Sequence, residues 1–99
     1  MSVVAEIALF PVGTSDTSMS QVLADSVKVI EKYGLQYEVT STGTNVEGDL
    51  DAILKAVREM DEVPFNEGAK RVVLMLRLDD RRDKPITMSY ESKSLEEKM

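Results

Sequence analysis

The residues with the most distinctive chemistry lie at positions 40–48, just before a strongly helical segment. This stretch combines neighbouring hydroxyl side chains with Gly43, and it ends on Glu47 and Gly48. The hydroxyl groups could hydrogen-bond a small ligand, or they could satisfy the backbone of a hairpin turn. We predict that Gly43 supplies the positive φ of a tight hairpin. The residue types alone leave both roles of the hydroxyl groups open.

A second polar stretch follows the first apolar segment. Residues 3–12 form a nearly continuous apolar run, which is typical of a strand covered on both faces. Pro11 and Gly13 end this run, and residues 14–20 form a hydroxyl-rich connection. Any of Ser15, Asp16, Thr17 or Ser18 could cap the helix that follows. If the first strand and the hairpin end at the same sheet edge, residues 11–14 approach residues 42–44. Together they would offer hydroxyls, amides and a helix N-terminus to a small molecule.

Hydrophobic spacing predicts six elements and a tail in a single domain over residues 1–99. Gly34 is a stop signal for the first helix, and Pro64 should end or kink the second near residues 61–63. The predicted strands are 3–12, 35–39, 44–47 and 70–78. The predicted helices are 19–33 and 49–63. The chain is predicted to end with a charged turn at 79–85 and a short C-terminal helix at 89–99. The apolar face of the first helix is predicted to comprise Met19, Leu23, Val27, Ile30 and Tyr33, widened by Val22.

The βαββαβ order predicts an α+β, ferredoxin-like sandwich, with a four-stranded antiparallel sheet and both helices on one face. We call the other face the open face. It is expected to carry apolar residues, which usually mark an interface; in one register these are Val4, Ala8, Phe10, Val73 and Met75. We therefore predict a homodimer or higher oligomer packed through the open face. Glu6 and Arg77 are expected to lie opposite each other there and to form an ion pair.

Composition narrows the classes of function. The chain has 99 residues, no cysteine, no histidine and a net charge of −6, which argues against nucleic-acid binding. It has no apolar run long enough to span a membrane and no basic N-terminal signal region, so we expect a cytoplasmic protein. Without thiolates or imidazoles we predict no metal site, no cofactor and no catalytic residues. A ligand-binding protein is favoured; a structural or regulatory interaction module is the alternative, and an enzyme is the least favoured class.

Five short motifs, in the same order along the chain, resemble those of the small thiamine-binding protein family. They are Pro11-x-Gly13-Thr14, Ser18-x-Ser20, Gly34-Leu35-x-Tyr37, Gly43-Thr44-x-x-Glu47-Gly48 and Gly68-x-x-Arg71-Val72. The resemblance covers almost the whole chain, and the block that starts at Gly43 is its most distinctive part. The chain departs from the pattern at Ser41 and Thr42, where many members of the family carry a bulkier apolar residue, and this difference is expected to alter the shape of the pocket.

The resemblance implies sheet-to-sheet dimers that pair into homotetramers and bind thiamine, or its hydroxymethylpyrimidine moiety, without catalysis. The ligand-binding residues that it implies are Gly13, Thr14, Ser18, Ser20, Thr42, Gly43, Thr44 and Glu47. In the mechanism we infer, the pyrimidine ring lies against Phe10, and hydroxyls and amides meet its nitrogens. A carboxylate, Glu47 or Glu6, would meet the amino group or offset the thiazolium charge. Glu47→Gln would then weaken binding by about one to a few kcal/mol.

Overall fold

The protein is described here by a computed structural model, which covers residues 2–12, 19–84 and 88. The elements are β1 (Val3–Val12), α1 (Met19–Lys32), β2 (Gln36–Val39), β3 (Thr44–Gly48), α2 (Leu50–Asn66) and β4 (Arg71–Asp79). This order confirms the predicted ferredoxin-like α+β fold. The C-terminal helix predicted for residues 89–99 lies outside the described residues.

The four strands form one antiparallel sheet in the order β2-β3-β1-β4. Ala5 of β1 lies opposite Val46 of β3 on one side and Leu78 of β4 on the other. Because side chains alternate between the faces of a strand, the odd-numbered residues of β1 point to the helices and the even-numbered residues to the open face. The central strands β1 and β3 therefore supply most of the sheet side of the core.

The core lies between the sheet and the two helices. Ile7, Val46, Ile30, Ile53 and Met60 are at most 2% exposed and belong to one cluster. Removing this much apolar surface from water is the main favourable contribution to folding. It also fixes which face of α1 and of α2 meets the sheet.

The first helix is rotated relative to its predicted apolar face. The buried residues of α1 are Val22, Ser26 and Ile30, at a spacing of four. Met19 and Leu23, which were expected in the core, are 52% and 41% exposed. The predicted face contained only the most hydrophobic residues of α1, so it did not include Ser26.

The prediction that Pro64 ends the second helix is wrong, because α2 continues to Asn66. In the final turn a proline removes only one helical hydrogen bond, and Pro64 is fully buried. The chain leaves the helix at Gly68, whose φ is +98°, while Ala69 N–H donates to the Pro64 carbonyl at 2.9 Å. Gly34, with a φ of +70°, ends α1 as predicted.

A polar link joins the C-terminal end of α1 to the middle of α2. Lys32 Nζ lies 2.9 and 3.1 Å from the two carboxylate oxygens of Glu59, and the Tyr33 hydroxyl donates to the same carboxylate. The hydrogen bond from Tyr33, followed by that from Lys32, holds the pKa of Glu59 below its usual value. The charged form of Glu59 therefore favours the folded state.

This link predicts an acid-dependent loss of stability. Because the folded pKa of Glu59 lies below the unfolded value of about 4.3, its contribution is complete above that value and is lost as the pH falls through the folded pKa. Glu59→Gln should lower the free energy of unfolding near neutral pH, and the difference from wild type should shrink in acid. Urea titrations from about pH 7 to about pH 3 measure this, with Glu62→Gln, on the exposed part of the same helix, as the control. A difference that stays constant over that range would contradict the proposed role of the charge.

Candidate functional site

A cavity of about 410 Å³ lies where the second half of β1, the first turns of α1 and the β2–β3 hairpin meet. This volume falls within the usual range for small-molecule pockets. The residues that line the cavity are Ile7, Ala8, Leu9, Phe10, Met19, Ser20, Val22, Leu23, Ser26, Val39, Thr40, Ser41, Thr42, Gly43, Thr44 and Met60.

The strand register explains why the hairpin lies at this edge. The pairing of β1 with β3 ends at Ile7 and Thr44, whereas the pairing of β1 with β4 continues to Val12. The hairpin tip therefore lies beside Ala8, and β1 extends past it. This confirms that the end of the first strand and the hairpin lie at the same end of the sheet. Because Ala8 and Leu9 point to opposite faces, both sheet faces contribute to the cavity.

The hairpin turn uses one of its own hydroxyl groups for support. Thr40 N–H donates to the Gly43 carbonyl at 2.8 Å, and Thr40 Oγ1 donates to the same carbonyl at 3.0 Å. Thr42 N–H donates to Thr40 Oγ1 at 3.3 Å. The Thr40 hydroxyl therefore has the structural role that the sequence had left open.

The prediction that Gly43 has a positive φ is wrong. Among the described glycines, positive φ values occur at Gly34 and Gly68. A Cβ atom at position 43 would instead lie 2.7 Å from the Ile7 carbonyl oxygen, a backbone atom that cannot move aside like a side chain. Gly43 is required because the hairpin tip approaches β1 so closely.

Ser26 is the polar residue of the cavity that sequence reasoning missed. It is 3% exposed, it lines the cavity, and its hydroxyl has no hydrogen-bond partner in the described part of the chain. A buried hydroxyl without a partner is uncommon and unfavourable, by about 1–3 kcal/mol. The signal that could have revealed it is its position four residues from both Val22 and Ile30, on the buried face of α1.

The cavity is electrically neutral over its described lining, because none of those residues has a charged side chain. Its polar groups are the serine and threonine hydroxyls and the main chain, set among aliphatic, methionine and phenylalanine side chains. An apolar wall with a few fixed polar groups suits an uncharged ring that forms hydrogen bonds at its edge. None of the described lining residues has a charged side chain that would pair with a phosphate group or a cation.

Four of the predicted site residues come together here: Ser20, Thr42, Gly43 and Thr44 all line the cavity, and Thr44 is 6% exposed. Gly13, Thr14 and Ser18 lie outside the described residues. The structure does not bring Glu47 to the cavity. Glu47 lies on the open face opposite Val4, four positions from Gly43, or roughly 13 Å along the strand.

Glu6 also lies on the open face, but nearer to the cavity. It is two positions from Ala8, or roughly 7 Å along β1, and it lies between Asn45 and Arg77. The register confirms that Glu6 and Arg77 are directly opposite. The predicted ion pair is wrong, since neither residue forms one in the described part of the chain.

In the ranges that the structure describes, no group of three or more acidic, cysteine or histidine residues could hold a metal ion. No helix there is both long enough and apolar enough to cross a membrane.

Relatives with known sequences match the chain along nearly its whole length. The UPF0045 protein MJ1052 of Methanocaldococcus jannaschii is 39% identical over 95 residues, which cover 96% of this chain and 93% of that protein. The UPF0045 protein YqgV of Bacillus subtilis is 33% identical over 96 residues, which cover 93% and 92% of the two chains.

Solved structures show the same fold. The crystal structure of MJ1052 has a TM-score of 0.83 at 38% identity and covers 97% of both chains. A Thermotoga maritima structure, named as a candidate thiamine biosynthesis or salvage protein, has a TM-score of 0.75 at 27% identity and covers 96% of this chain and 99% of its own. A sequence profile described as "Thiamine-binding protein" matches residues 5–96. This chain therefore belongs to the thiamine-binding protein family.

Proposed function

We propose that this protein is a non-catalytic, oligomeric binding protein for thiamine or its hydroxymethylpyrimidine moiety, and that the ligand occupies the neutral cavity. The observation that carries the proposal is the unpartnered hydroxyl of Ser26 inside that cavity. A ligand nitrogen or hydroxyl would satisfy this group, so binding would remove an existing penalty as well as add contacts. The name of the family and that of the Thermotoga maritima relative support thiamine as the source of the ligand.

The lining supports a ring with polar edges. The pyrimidine would lie against Phe10 and Leu23, which are 48% and 41% exposed and can lose further area to a ligand. Hydroxyls of Ser26 and Thr44 would meet its polar atoms. A module that only scaffolds a partner has no need for an orphan hydroxyl in a cavity. Binding without catalysis is favoured because the described lining places no acid or base beside its hydroxyls.

Ser26→Ala separates stability from binding. Without ligand, the variant should be more stable by about 1 kcal/mol, because the buried hydroxyl is removed and alanine favours a helix. Its affinity for the ligand should fall, because a hydrogen bond is lost. Thermal unfolding with and without thiamine, and separately with hydroxymethylpyrimidine, measures both effects. Ligand at a hundred times its Kd stabilises the wild type by about 2.7 kcal/mol.

Ala24→Ser is the matched control for this experiment. Ala24 is exposed on the same helix and does not line the cavity, so the reverse change affects helix propensity alone. If Ser26→Ala lowered the stability of the free protein and left the affinity unchanged, the hydroxyl would have no part in binding. If neither compound at millimolar concentration raised the midpoint of the wild type, the proposed function would be wrong.

Of the two carboxylates that the resemblance implies, Glu6 and Glu47, we propose Glu6 as the one that offsets the thiazolium charge, because it lies nearer to the cavity than Glu47 does. Glu6→Gln should weaken thiamine binding by about 1.5–3 kcal/mol, the range for hydrogen bonds to charged groups. Hydroxymethylpyrimidine, which lacks the thiazolium, should bind both variants almost equally. Glu47→Gln is the matched control, and calorimetric titration compares the two. A loss of affinity confined to Glu47→Gln would reverse the assignment.

The oligomer proposed here is a homodimer packed through the open face and paired into a homotetramer. In the structure, Val4 and Ala8 are already buried, which leaves Phe10, Val73 and Met75 as the large exposed apolar side chains from the predicted set. Phe10 also lines the cavity, so a partner on this face would cover one side of the site. We place the protein in the cytoplasm, in agreement with its composition.

Sedimentation tests the oligomer. The expected mass is at least twice the monomer mass of 11.0 kDa. Met75 is 62% exposed, and Met75→Asp should shift the protein to the monomer, because it would bury an unpaired charge. Leu54→Asp, at a 44% exposed apolar position on α2, is the control and should leave the mass unchanged. A wild-type monomer at micromolar concentration would refute the dimer.

A further inference from the structure

The main chain of β1 has an open edge inside the cavity. The short distance from the Cβ position of Gly43 to the Ile7 oxygen shows that the Ile7 carbonyl points to the hairpin side of β1. In an antiparallel strand, the N–H and C=O of one residue point to the same side, and residues alternate. The N–H and C=O of Leu9, two positions on, therefore also point to the hairpin side.

No strand pairs with Leu9 on that side. The pairing with β3 ends at Ile7, and no backbone hydrogen bond joins Leu9 to the hairpin tip within the described residues. On the other side, by the same alternation, Ala8 and Phe10 supply the hydrogen bonds to β4. Leu9 lines the cavity together with Thr42 and Gly43 of the hairpin, and the alternation along β1 points its N–H and C=O toward that hairpin.

Pro11 supports this assignment. Pro11 lies two positions after Leu9, so its main-chain groups point to the same neighbouring side of β1 as those of Leu9. Proline has no N–H, and within sheets it is confined to positions that need no ladder hydrogen bond. Its presence indicates that this side of β1 is unpaired beyond the hairpin, so that Leu9 N–H is the last donor of β1 there.

We propose that the main-chain N–H and C=O of Leu9 recognise a planar, uncharged ring that carries a hydrogen-bond acceptor next to a donor. This inference rests on the proposed function and specifies how the same site selects its ligand. At Leu9 the strand edge offers one N–H donor and one C=O acceptor. This is the same pair of groups with which β1 binds β3 where the two strands are paired. Ser26 Oγ supplies a third polar contact, and an uncharged ring suits the described lining, which has no charged side chain to pair with a charged one.

An aminopyrimidine has the required edge, because a ring nitrogen acceptor lies next to the amino donor. Leu9 N–H would donate to the ring nitrogen, and the amino group would donate to the Leu9 carbonyl. The cationic thiazolium has no such donor and would remain outside the neutral lining. Thiamine would therefore bind with its pyrimidine in the cavity and its charge toward the mouth.

The test varies the ligand, because no substitution at position 9 removes the main-chain carbonyl. Calorimetric titrations of the wild-type protein compare hydroxymethylpyrimidine, the same compound with methyl in place of its amino group, and the thiazole alcohol alone. The methyl compound has nearly the same shape but lacks the donor. It should bind about tenfold more weakly or worse, because the Leu9 carbonyl would be left without a partner. The thiazole alcohol should not bind measurably.

Amide hydrogen exchange gives a second readout at the atom concerned. The amino compound should slow exchange of the Leu9 amide. The amide of Ala5, which is already paired with β3, serves as the control and should not change. Affinities of the amino and methyl compounds within about twofold, an unprotected Leu9 amide in the complex, or tight binding of the thiazole alone would each overturn this inference and leave thiamine binding intact. If neither thiamine nor the pyrimidine bound, the proposed function itself would fail.

Discussion

The end of the β1–β3 pairing at Ile7 and Thr44 is the constraint on which the site depends. The core requires β1 to continue along β4 to Val12, because Leu9 still contributes to the apolar layer beneath the helices. The hairpin turns back earlier, and the shorter neighbour leaves a gap beside the longer strand. A cavity is the direct result of two adjacent strands of unequal length. Gly43 sets the width of the gap, because any side chain there would collide with the Ile7 carbonyl.

The two ends of α1 have different roles. At its C-terminal end, Lys32 and Tyr33 are held by Glu59 of α2, and Ile30 is fully buried. At the other end, Met19 and Leu23 remain half exposed beside the cavity. Apolar surface left open to water contributes nothing to stability until something covers it. The anchored end therefore keeps the helix in place, while the open end leaves apolar surface that the proposed ligand would cover.

The fold was predictable from the sequence because its signals are redundant. Hydrophobic spacing, Gly34 as a helix stop and the βαββαβ order all indicate one topology, and the element order and the stop at Gly34 agree with the structure. The topology also predicted which end of the sheet carries the candidate site. The role of Gly43 was mistaken because a turn glycine is ordinarily explained by its φ, whereas here the reason is a contact with a residue far away in the sequence. Pro64 was misread because its effect depends on how much of the helix remains.

Ser26 was missed for a related reason, because its burial follows neither hydrophobicity nor hydrogen bonding within the described part of the chain. Sequence patterns find the core by its apolar residues, so a serine at a buried helix position looks like part of the solvent-facing side. Stability alone would favour alanine there. Ser26 has an unpaired hydroxyl in the core, and the edge of β1 beyond Ile7 has no partner strand on the hairpin side. In the proposed site, both sets of hydrogen-bonding groups border one cavity. These groups are unfavourable for the free protein, and a single ligand with matching polar atoms would satisfy both sets at once.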